Sequence, residues 1–452
     1  MTELKDKTVL ILGMGVSGLA AASFLLKRGI KVKVSDSGDG TLKKSDVDKF
    51  KQSGECDFEW GGHTEEFCSG ADIVVVSPGI DIKKSHSSGV LPKDVPVIGT
   101  LELGARYCEA PIIAITGTNG KSTVTDLIGH ILSEAGMDVK VCGNIGNPLI
   151  GEVDGLSKNS IAVVEVSSFQ LETIQRFKPY IAVLLNIAED HYDRHGSYDG
   201  YKSEKYRIFE NQTETDWAVI NECLRDSPEI KDVRSRVVFF DKEMDEHVTA
   251  KKNEDTNSKL ERKLPVFRHD EILPVSGDHN FENIACSIIV AGILGINTDK
   301  VKEAVKIFVP LRHRTERIGI INGIVFIDDS KATNIDATRV ALKTVDKKAV
   351  LIAGGRDKGG DYGSLVPLVK QKVKTIIVIG EAKTRIVEAF EGETKVVDAE
   401  DMGDAVEKAI KYAEPGDIVM LSPMCSSFDM FSGYKERGEV FQSEVMKRAP
   451  KS

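Results

Sequence analysis

The stretch APIIAITGTNGKSTVT, residues 110–125, decides the fold that we predict for this chain. It begins with β-branched apolar residues, which are typical of a strand buried on both faces of a parallel sheet. A glycine-rich turn follows, and we expect a helix from Val124. Glycines allow several backbone N–H groups to converge on one phosphate, Lys121 adds a positive charge, and the Ser122 hydroxyl can hold Mg²⁺. The stretch therefore predicts a nucleotide triphosphate site, with an ordinary strand-to-helix turn as the alternative.

The glycine spacing of this loop departs from the usual phosphate-loop pattern of Gly, four residues and then Gly-Lys-Ser or Gly-Lys-Thr. Ile115 stands where the first glycine is expected, and Gly117 lies three positions before Gly120. The strand, the loop and the helix nevertheless follow one another in the order that phosphate binding requires. We therefore keep the prediction of a phosphate site.

The overall composition predicts a soluble enzyme with more than one domain. A chain of 452 residues is too long for one ordinary core, and 41% hydrophobic with 29% charged residues is typical of globular proteins. No apolar run is long enough to span a bilayer, and the first residues lack a secretory pattern, so we expect no membrane insertion. Seven scattered cysteines without metal-ligand spacing favour reduced thiols in the cytoplasm. A net charge of −10 disfavours a nucleic-acid-binding surface.

Residues 1–100 have the pattern of a Rossmann-like domain. An apolar run leads into GMGVSG, residues 13–18, and the next apolar run ends at Asp36. This is the dinucleotide fingerprint, in which glycines allow a tight turn and an acid contacts a ribose, and it predicts a nucleotide of some kind. A later run, residues 71–76, ends where open α/β sheets bind ligands, although a plain turn fits equally well. The residues at that end are Ser77, Pro78 and Gly79.

The rest of the chain alternates strand runs with helical periodicity, which predicts parallel sheets with right-handed crossovers. We predict an α/β protein of three domains: a Rossmann-like domain at residues 1–100, a P-loop-type ATPase domain at 101–310, and a second Rossmann-like domain at 311–452. The polar stretch 241–263 is interpreted as a solvated surface excursion.

Three positions in the predicted central domain carry chemistry with more than one interpretation. Glu165 interrupts an apolar strand close to its end, so it is either turned to solvent or a Mg²⁺ ligand near the phosphate loop. The segment DHYDRH, residues 190–195, is dense in ionisable groups, but the sequence offers no partner with clear zinc spacing. A solvated loop, a catalytic role and a Mg²⁺-linked role all remain open there. Lys205 lies in a helical stretch and would not be singled out by its pattern.

Further polar groups follow strand ends or open helices in the last third of the chain. Asn280 and Asn283 lie one helical turn apart, which suits base-edge contacts and helix capping alike. The segment DDSKATN, residues 328–334, combines acids, a lysine and hydroxyl groups, and a helix N-cap explains part of it. Similar polar groups follow two other strands, in GGRDK (354–358) and SPMCSSF (422–428). Several such strand ends on one sheet edge favour a binding site.

With these motifs assembled, the chain resembles the Mur ligase family over essentially its whole length. The most specific blocks are TGTNGKST (116–123), EVSSFQLE (165–172), DSKATN (329–334) and LSP (421–423). The resemblance implies an ATP-dependent amide ligase with Mg²⁺, expected as two ions, and we expect this enzyme to be a cytoplasmic monomer. It implies that ATP converts the carboxylate of UDP-N-acetylmuramoyl-L-alanine to an acyl phosphate, which D-glutamate attacks. The product would serve peptidoglycan precursor synthesis, and hence cell shape and division.

The resemblance also implies roles for residues of the central and C-terminal domains. The residues expected to bind ATP are Gly117, Thr118, Asn119, Gly120, Lys121, Ser122, Thr123, Asn280, Asn283, Arg314 and Asp329. The expected metal ligands are Ser122, Glu165, His191 and Lys205, the last as a carbamate formed with CO₂. Lys121, Glu165, His191 and Lys205 are the expected catalytic residues.

The family's two other substrates are expected at the ends of the chain. The residues implied for the UDP-linked substrate are Val16, Ser17, Asp36, Ser77, Pro78 and Gly79, with Asn144 nearer the sugar. Those implied for D-glutamate are Lys331, Thr333, Lys358, Ser427, Phe428 and Tyr434. Gly38 stands where some relatives have an arginine near the uracil, and Phe428 and Tyr434 replace Leu and Phe of a relative.

Three other functions compete with the ligase. An NAD-dependent dehydrogenase would explain residues 13–18 and Asp36 but leaves the phosphate loop without a purpose. A binding module controlled by nucleotide would bind ATP without turning it over. A folylpolyglutamate synthetase, which is a sibling amide ligase, should not retain a UDP-binding first domain.

Overall fold

The computed structural model describes residues 4–38, 44–87, 89–91, 94–241, 278–309 and 311–449. Most of the predicted surface excursion at 241–263 lies outside these residues. The chain divides into two compact units. The first comprises Met1–Asn186, Lys202–Leu273 and Phe281–Phe308, and the second comprises Ile187–Tyr201, Pro274–Asn280 and Val309–Ser452.

The first sheet is parallel and has the strand order β3-β2-β1-β4-β5. Its strands are β1 (Thr8–Leu12), β2 (Lys31–Asp36), β3 (Cys56–Trp60), β4 (Ile73–Val76) and β5 (Val97–Gly99). Its helices are α1 (Val16–Leu26), α2 (Lys44–Ser53), α3 (Glu65–Cys68), α4 (Ile82–Ser87) and α5 (Thr100–Tyr107). The order reverses between β1 and β4, which is where doubly wound sheets open a crevice for ligands. The prediction of a Rossmann-like first sheet is confirmed.

The second sheet is parallel, with the order β11-β10-β9-β6-β8-β7. Its strands are β6 (Ile112–Thr116), β7 (Val139–Gly143), β8 (Ile161–Glu165), β9 (Ile181–Leu184), β10 (Trp217–Asn221) and β11 (Arg236–Phe240). The helices of this part of the sequence are α6 (Lys121–Glu134), α7 (Leu149–Glu152), α8 (Ser168–Leu171), α9 (Tyr192–His195), α10 (Tyr198–Tyr206), α11 (Asp278–Ile293) and α12 (Thr298–Ile307). Strand β6 is buried along its whole length, as its β-branched composition predicts.

Helix α6 begins at Lys121, so the predicted start at Val124 is wrong by one turn. Gly120 has a φ of 84°, and this left-handed residue turns the chain directly into the helix. The lysine and serine of the phosphate loop therefore stand in the first helical turn, where backbone N–H groups have no partner within the helix.

The third sheet has the order β12-β13-β17-β14-β15-β16. Its strands are β12 (Glu316–Ile321), β13 (Ile324–Asp328), β14 (Ala349–Gly354), β15 (Val373–Ile379), β16 (Lys395–Asp398) and β17 (Ile418–Leu421). Its helices are α13 (Ile335–Lys343), α14 (Val366–Lys372), α15 (Lys383–Phe390), α16 (Met402–Tyr412) and α17 (Tyr434–Lys447).

One strand of the third sheet departs from the predicted parallel arrangement, because β12 pairs antiparallel with β13. The turn at residues 322–323 joins the two strands directly, and a connection this short cannot hold a crossover helix. The other pairs of this sheet are parallel. The α/β fold class is therefore confirmed, with one antiparallel edge strand. Among the described residues no helix is long and apolar enough to cross a membrane.

Candidate active site

The phosphate loop between β6 and α6 is held in shape by Asn186, two residues after the end of β9. Asn186 accepts a hydrogen bond from the Asn119 N–H through Oδ1 (2.8 Å) and donates from Nδ2 to the Asn119 carbonyl (3.1 Å). The Thr118 N–H donates to the Asn186 carbonyl at 3.0 Å. Sequence reasoning missed Asn186, whose one signal is its position directly after an apolar strand run. The loop conformation therefore depends on a neighbouring strand as well as on glycine.

The loop glycines stand where side chains do not fit. Gly117 has a φ of 156°, and a Cβ there would lie 3.0 Å from the Leu185 Cβ. A Cβ on Gly120 would lie 2.6 Å from the Asn283 Oδ1. Asn283 is thus beside the loop, as expected of a nucleotide contact, whereas the side chain of Asn280 lies outside the described part of the chain.

Two lysines converge on one carbonyl of the phosphate loop. Lys121 Nζ donates to the carbonyls of Gly117 and Thr118, each at 2.8 Å. Lys205 Nζ, from α10, donates to the same Gly117 carbonyl at 2.8 Å, and its side chain is only 1% exposed. Two ammonium groups at one carbonyl concentrate positive charge, which favours an anionic ligand at the loop. Burial singles out Lys205, which its sequence pattern did not.

Glu165 is a buried carboxylate at the end of β8, opposite Ile115 of β6 in the sheet register. Its Oε1 accepts a hydrogen bond from Asn144 Nδ2 at 2.8 Å, and its Oε2 is buried with no hydrogen-bond partner. A Cβ on Gly143 would lie 2.3 Å from the Glu165 carbonyl oxygen, so the chain passes close to this strand end. A buried carboxylate oxygen with no donor is the kind of ligand that Mg²⁺ takes. The interpretation of Glu165 as a solvent-facing residue is wrong.

In the second compact unit, Asp190 links two of the predicted site residues, His191 and Lys358, with Asn334. Its carboxylate accepts hydrogen bonds from Asn334 Nδ2 at 3.0 Å and from Lys358 Nζ at 3.4 Å. The His191 N–H donates to the same carboxylate at 3.0 Å, and His191 has a positive φ of 54°. A non-glycine residue in that conformation is uncommon and is held here by its neighbours. Sequence reasoning placed Asp190 in a charged segment but assigned it no role.

Asp329 directly follows β13, and its carboxylate is held by one residue just before β12 and one just after β17. Oδ1 accepts from the Thr315 N–H at 3.1 Å, and Oδ2 accepts from the Ser422 hydroxyl at 2.9 Å. Burial raises the pKa of Asp329 to about 7, although these hydrogen bonds and nearby Arg314 act in the opposite direction. The charge of this carboxylate therefore depends on pH near neutrality.

The residues before Asp329 form a closed polar cluster of His313, Glu316 and Asp328. His313 Nδ1 lies 2.7 Å from Asp328 Oδ2, and the His313 N–H donates to Glu316 at 2.7 Å. Gln442 donates from Nε2 to both carboxylates, at 2.8 and 3.1 Å. Since these groups bond directly to one another, the cluster orders the chain on both sides of Arg314.

The residues expected at the amino-acid site lie on the loops after β13, β14 and β17, except for Tyr434, which opens α17. Lys331 Nζ lies 4.2 Å from the ring centroid of Tyr434, a cation–π contact at the start of α17. Ser427 is buried, whereas Phe428 is 63% exposed. Thr333 precedes α13, and its N–H donates to the Lys331 carbonyl at 2.7 Å.

The glycine-rich turn after β1 is closed by contacts with β2 and β4. The Ser77 hydroxyl donates to the Gly13 carbonyl at 2.8 Å. The Asp36 carboxylate accepts the N–H groups of Met14 and Gly38, one on each oxygen. Val16 and Ser17 open α1 directly after this turn, Pro78 and Gly79 lie on the turn after β4, and Val16 is 66% exposed. Asp36 thus braces the turn through Oδ2 and its own following loop through Oδ1, which is a structural use of the acid that the fingerprint assigns to a ribose.

Comparison with known families identifies all three parts of the chain. Residues 7–99 match the MurD-like N-terminal domain of Mur ligases, 115–291 the Mur ligase middle domain, and 313–425 the Mur ligase glutamate ligase domain. The chain belongs to the Mur ligase family. The resemblance stated from its motifs is therefore confirmed.

Two curated relatives of this Mur ligase are similar over nearly the full length of both proteins. The UDP-N-acetylmuramoylalanine–D-glutamate ligase of Pelotomaculum thermopropionicum is 40% identical over 98% of this chain and 99% of the relative. The enzyme of that name from Koribacter versatilis is 38% identical over 99% of each. Among solved structures, the MurF ligase of Thermotoga maritima in complex with ADP has a TM-score of 0.60 at 15% identity, covering 99% of this chain and 100% of that one. At that identity the likeness supports the fold alone.

Proposed function

We propose that this Mur ligase joins D-glutamate to UDP-N-acetylmuramoyl-L-alanine at the expense of ATP, in peptidoglycan precursor synthesis. The observation that carries the proposal is full-length similarity at about 40% identity to ligases of that name. The phosphate loop, together with Lys121 at the Gly117 and Thr118 carbonyls, supplies the nucleotide site that such a reaction requires.

The first step is phosphoryl transfer to the carboxylate of the UDP-linked substrate. A carboxylate oxygen forms a bond to the γ-phosphorus while the bond to the β-phosphate oxygen breaks, which releases ADP. Two anions must approach one another in this step, so their repulsion must be screened. Lys121 would screen it beside the phosphates, and the N–H groups at the start of α6 would hold them in place.

The second step forms the amide. The D-glutamate nitrogen attacks the acyl carbon, a tetrahedral intermediate forms, and phosphate leaves as the amine loses a proton. We assign D-glutamate to Lys331, Thr333, Lys358, Ser427, Phe428 and Tyr434, and the UDP-linked substrate to Val16, Ser17, Asp36, Ser77, Pro78, Gly79 and Asn144. Arg314 and Asp329 are assigned to ATP with the phosphate loop, Asn280 and Asn283. The cations among the D-glutamate group suit a substrate with two carboxylates.

Mg²⁺ is part of the proposal, and the buried Oε2 of Glu165 supports it. Glu165, Ser122, His191 and a carbamylated Lys205 would hold two ions. The ions would neutralise phosphate charge as it develops. Carbamylation changes the Lys205 side chain from a cation to an anion, which would explain why a lysine lies so deep in the fold.

We further propose that residues 1–100 bind the UDP-linked substrate, 101–310 bind ATP, and 311–452 bind the amino acid. The three matched family domains support these limits. We assign the enzyme to the cytoplasm as a monomer, and its seven free thiols support a reducing compartment.

The test measures ADP release by the purified full-length enzyme with Mg²⁺. We expect release only when ATP, UDP-N-acetylmuramoyl-L-alanine and D-glutamate are all present. Equal turnover with L-glutamate or diaminopimelate would contradict the substrate assignment. In the same assay, Lys205→Ala should lose activity and recover part of it with added acetate. Lys202→Ala, one turn earlier and paired with Glu229, is the matched control and should retain turnover.

A further inference from the structure

Arg437 in α17 is the largest fully buried side chain among the described residues, and it is 1% exposed. Its guanidinium donates from Nε to the Ser330 hydroxyl (3.0 Å) and from Nη2 to the Ser330 carbonyl (2.8 Å). Nη1 donates to the carbonyls of Cys425 (3.1 Å) and Ser426 (3.2 Å). Each of these acceptors is an uncharged oxygen. Among the described residues, this buried cation is therefore neutralised by dipoles and by carboxylates beyond hydrogen-bond reach.

Burying this cation costs free energy. A buried ion loses its hydration, and neutral acceptors return only part of that free energy. Burial lowers the pKa of Arg437 to about 10, so the group is still a cation at neutral pH. In a medium of low dielectric constant, such a charge acts over a longer range than it does in water.

The acceptors of Arg437 immediately precede the residues assigned to the amino-acid substrate. Ser330 is followed by Lys331, and Ser426 by Ser427. The Ser330 hydroxyl, which accepts from Arg437, also donates a hydrogen bond to the Tyr434 carbonyl at 2.8 Å. One side chain thus holds the bases of two loops and the first turn of α17.

The loop after β14 also contacts Arg437 and one of its acceptors, Ser426. The Arg356 N–H donates to the Ser426 carbonyl at 2.9 Å, two residues before Lys358. A Cβ on Gly355 would lie 3.1 Å from Arg437 Nη1 and 2.2 Å from the Ser426 carbonyl, so this loop packs directly on the arginine.

We propose that Arg437 is a positioning and specificity-determining residue for the amino-acid substrate. Its planar guanidinium holds the loops after β13 and β17 in place. Its positive charge makes the amino-acid site on those loops favourable for a substrate with an acidic side chain. The inference rests on the proposed function, because it deepens the D-glutamate assignment. Lysine keeps the positive charge but lacks the planar, forked set of donors. Methionine lacks both the donors and the charge.

The experiment measures KM for each of the three substrates in the full-length enzyme and its Arg437→Lys and Arg437→Met variants. We expect the KM for D-glutamate to rise about tenfold or more in both variants, since charge-assisted hydrogen bonds are lost. The KM values for ATP and the UDP-linked substrate should change less than about twofold. The preference for D-glutamate over D-glutamine should fall in Arg437→Met and be largely kept in Arg437→Lys.

The matched control is Arg448→Lys, at the residue that follows the same helix, where the arginine donates to the Gly403 carbonyl and pairs with Glu444. It should leave every KM unchanged. An unchanged KM for D-glutamate, or an equal rise of all three KM values with a lower Tm, would overturn the proposal, because either would mean a purely structural arginine.

If circular dichroism shows that Arg437→Met does not fold, Ser330→Ala takes its place. That variant removes the acceptor of Nε and the link to Tyr434, so a selective rise in the KM for D-glutamate supports the proposal and an unchanged KM overturns it. Failure of the proposed function is seen separately, in the wild-type enzyme, as ADP release that does not depend on D-glutamate.

Discussion

At the scale of single residues, a carboxylate beside the third sheet has an ionised form that burial disfavours. Asp329 accepts two hydrogen bonds, yet burial raises its pKa to about 7. An unfolded aspartate has a pKa near 3.9, so between about pH 4 and pH 7 the folded protein binds more protons than the unfolded chain. Stability contributed by this group is therefore present below about pH 4 and is lost as the pH rises towards 7.

Replacing Asp329 by asparagine should stabilise the protein in the alkaline range. Asparagine fits the same space without a charge, and one pKa unit corresponds to about 1.4 kcal/mol. We expect Asp329→Asn to increase the free energy of unfolding by about 1–3 kcal/mol at pH 8, and the gain to disappear towards pH 4. Urea unfolding at several pH values measures this difference.

The exposed Asp346 provides the control, since Asp346→Asn should change stability little at any pH. A difference for Asp329→Asn that is independent of pH would contradict the argument. If Asp329 contacts ATP as proposed, the stabler variant should also have a higher KM for ATP.

At the scale of elements, helix α5 is fastened to a distant segment by one glutamate. Glu102 is fully buried and accepts the backbone N–H groups of Gln175, Arg176 and Phe177, together with Arg106 Nε. Burial alone would raise the pKa of Glu102, but these hydrogen bonds hold it below its ordinary value. The stability from Glu102 is thus present above the unfolded pKa, near 4.3, and is lost as the pH falls through the lower folded value.

We expect Glu102→Gln to lower the free energy of unfolding by about 2–4 kcal/mol at pH 7, because three N–H groups and an arginine lose a charged acceptor. The loss should shrink below about pH 4, opposite in sign to the effect of Asp329→Asn. Denaturant unfolding at pH 7 and pH 3.5 tests this, with the exposed Glu214→Gln as control. A loss of the same size at both pH values would contradict it.

At the scale of the whole molecule, the chain forms two compact units, of which the second is mostly the continuous stretch from Val309. The first unit contains the first and second sheets, and the second unit contains the third sheet. Each unit has an apolar core of its own. Two-state unfolding is typical of small single domains and breaks down when a chain has several. We therefore expect two overlapping transitions in scanning calorimetry.

The two substitutions described above would show which compact unit gives rise to each transition. Glu102→Gln should move one transition to lower temperature, and Asp329→Asn at pH 8 should move the other to higher temperature. One cooperative transition with equal calorimetric and van't Hoff enthalpies, shifted by both substitutions, would show instead that the units unfold together.

Local sequence was a good guide to the strands and to the phosphate loop. Apolar runs of β-branched residues predict buried strands wherever they occur, and β6, β8 and β9 all follow such runs. The start of α6 was predicted wrongly, and strand β12, with its antiparallel pairing in a sheet expected to be parallel, was not predicted. In the first case a left-handed glycine set the start, and in the second a short turn set the strand direction.

The sequence by itself determined the fold class, the family and the residue types available for chemistry, because periodicity and short motifs are local properties of the chain. The tertiary structure decided which of those residues act together. Asn186 shapes the phosphate loop from 67 positions away, Lys205 reaches Gly117 across 88, and Arg437 binds Ser330 across 107. Contacts between positions so far apart leave no local pattern, since burial and hydrogen bonding arise only when the strands have been brought side by side.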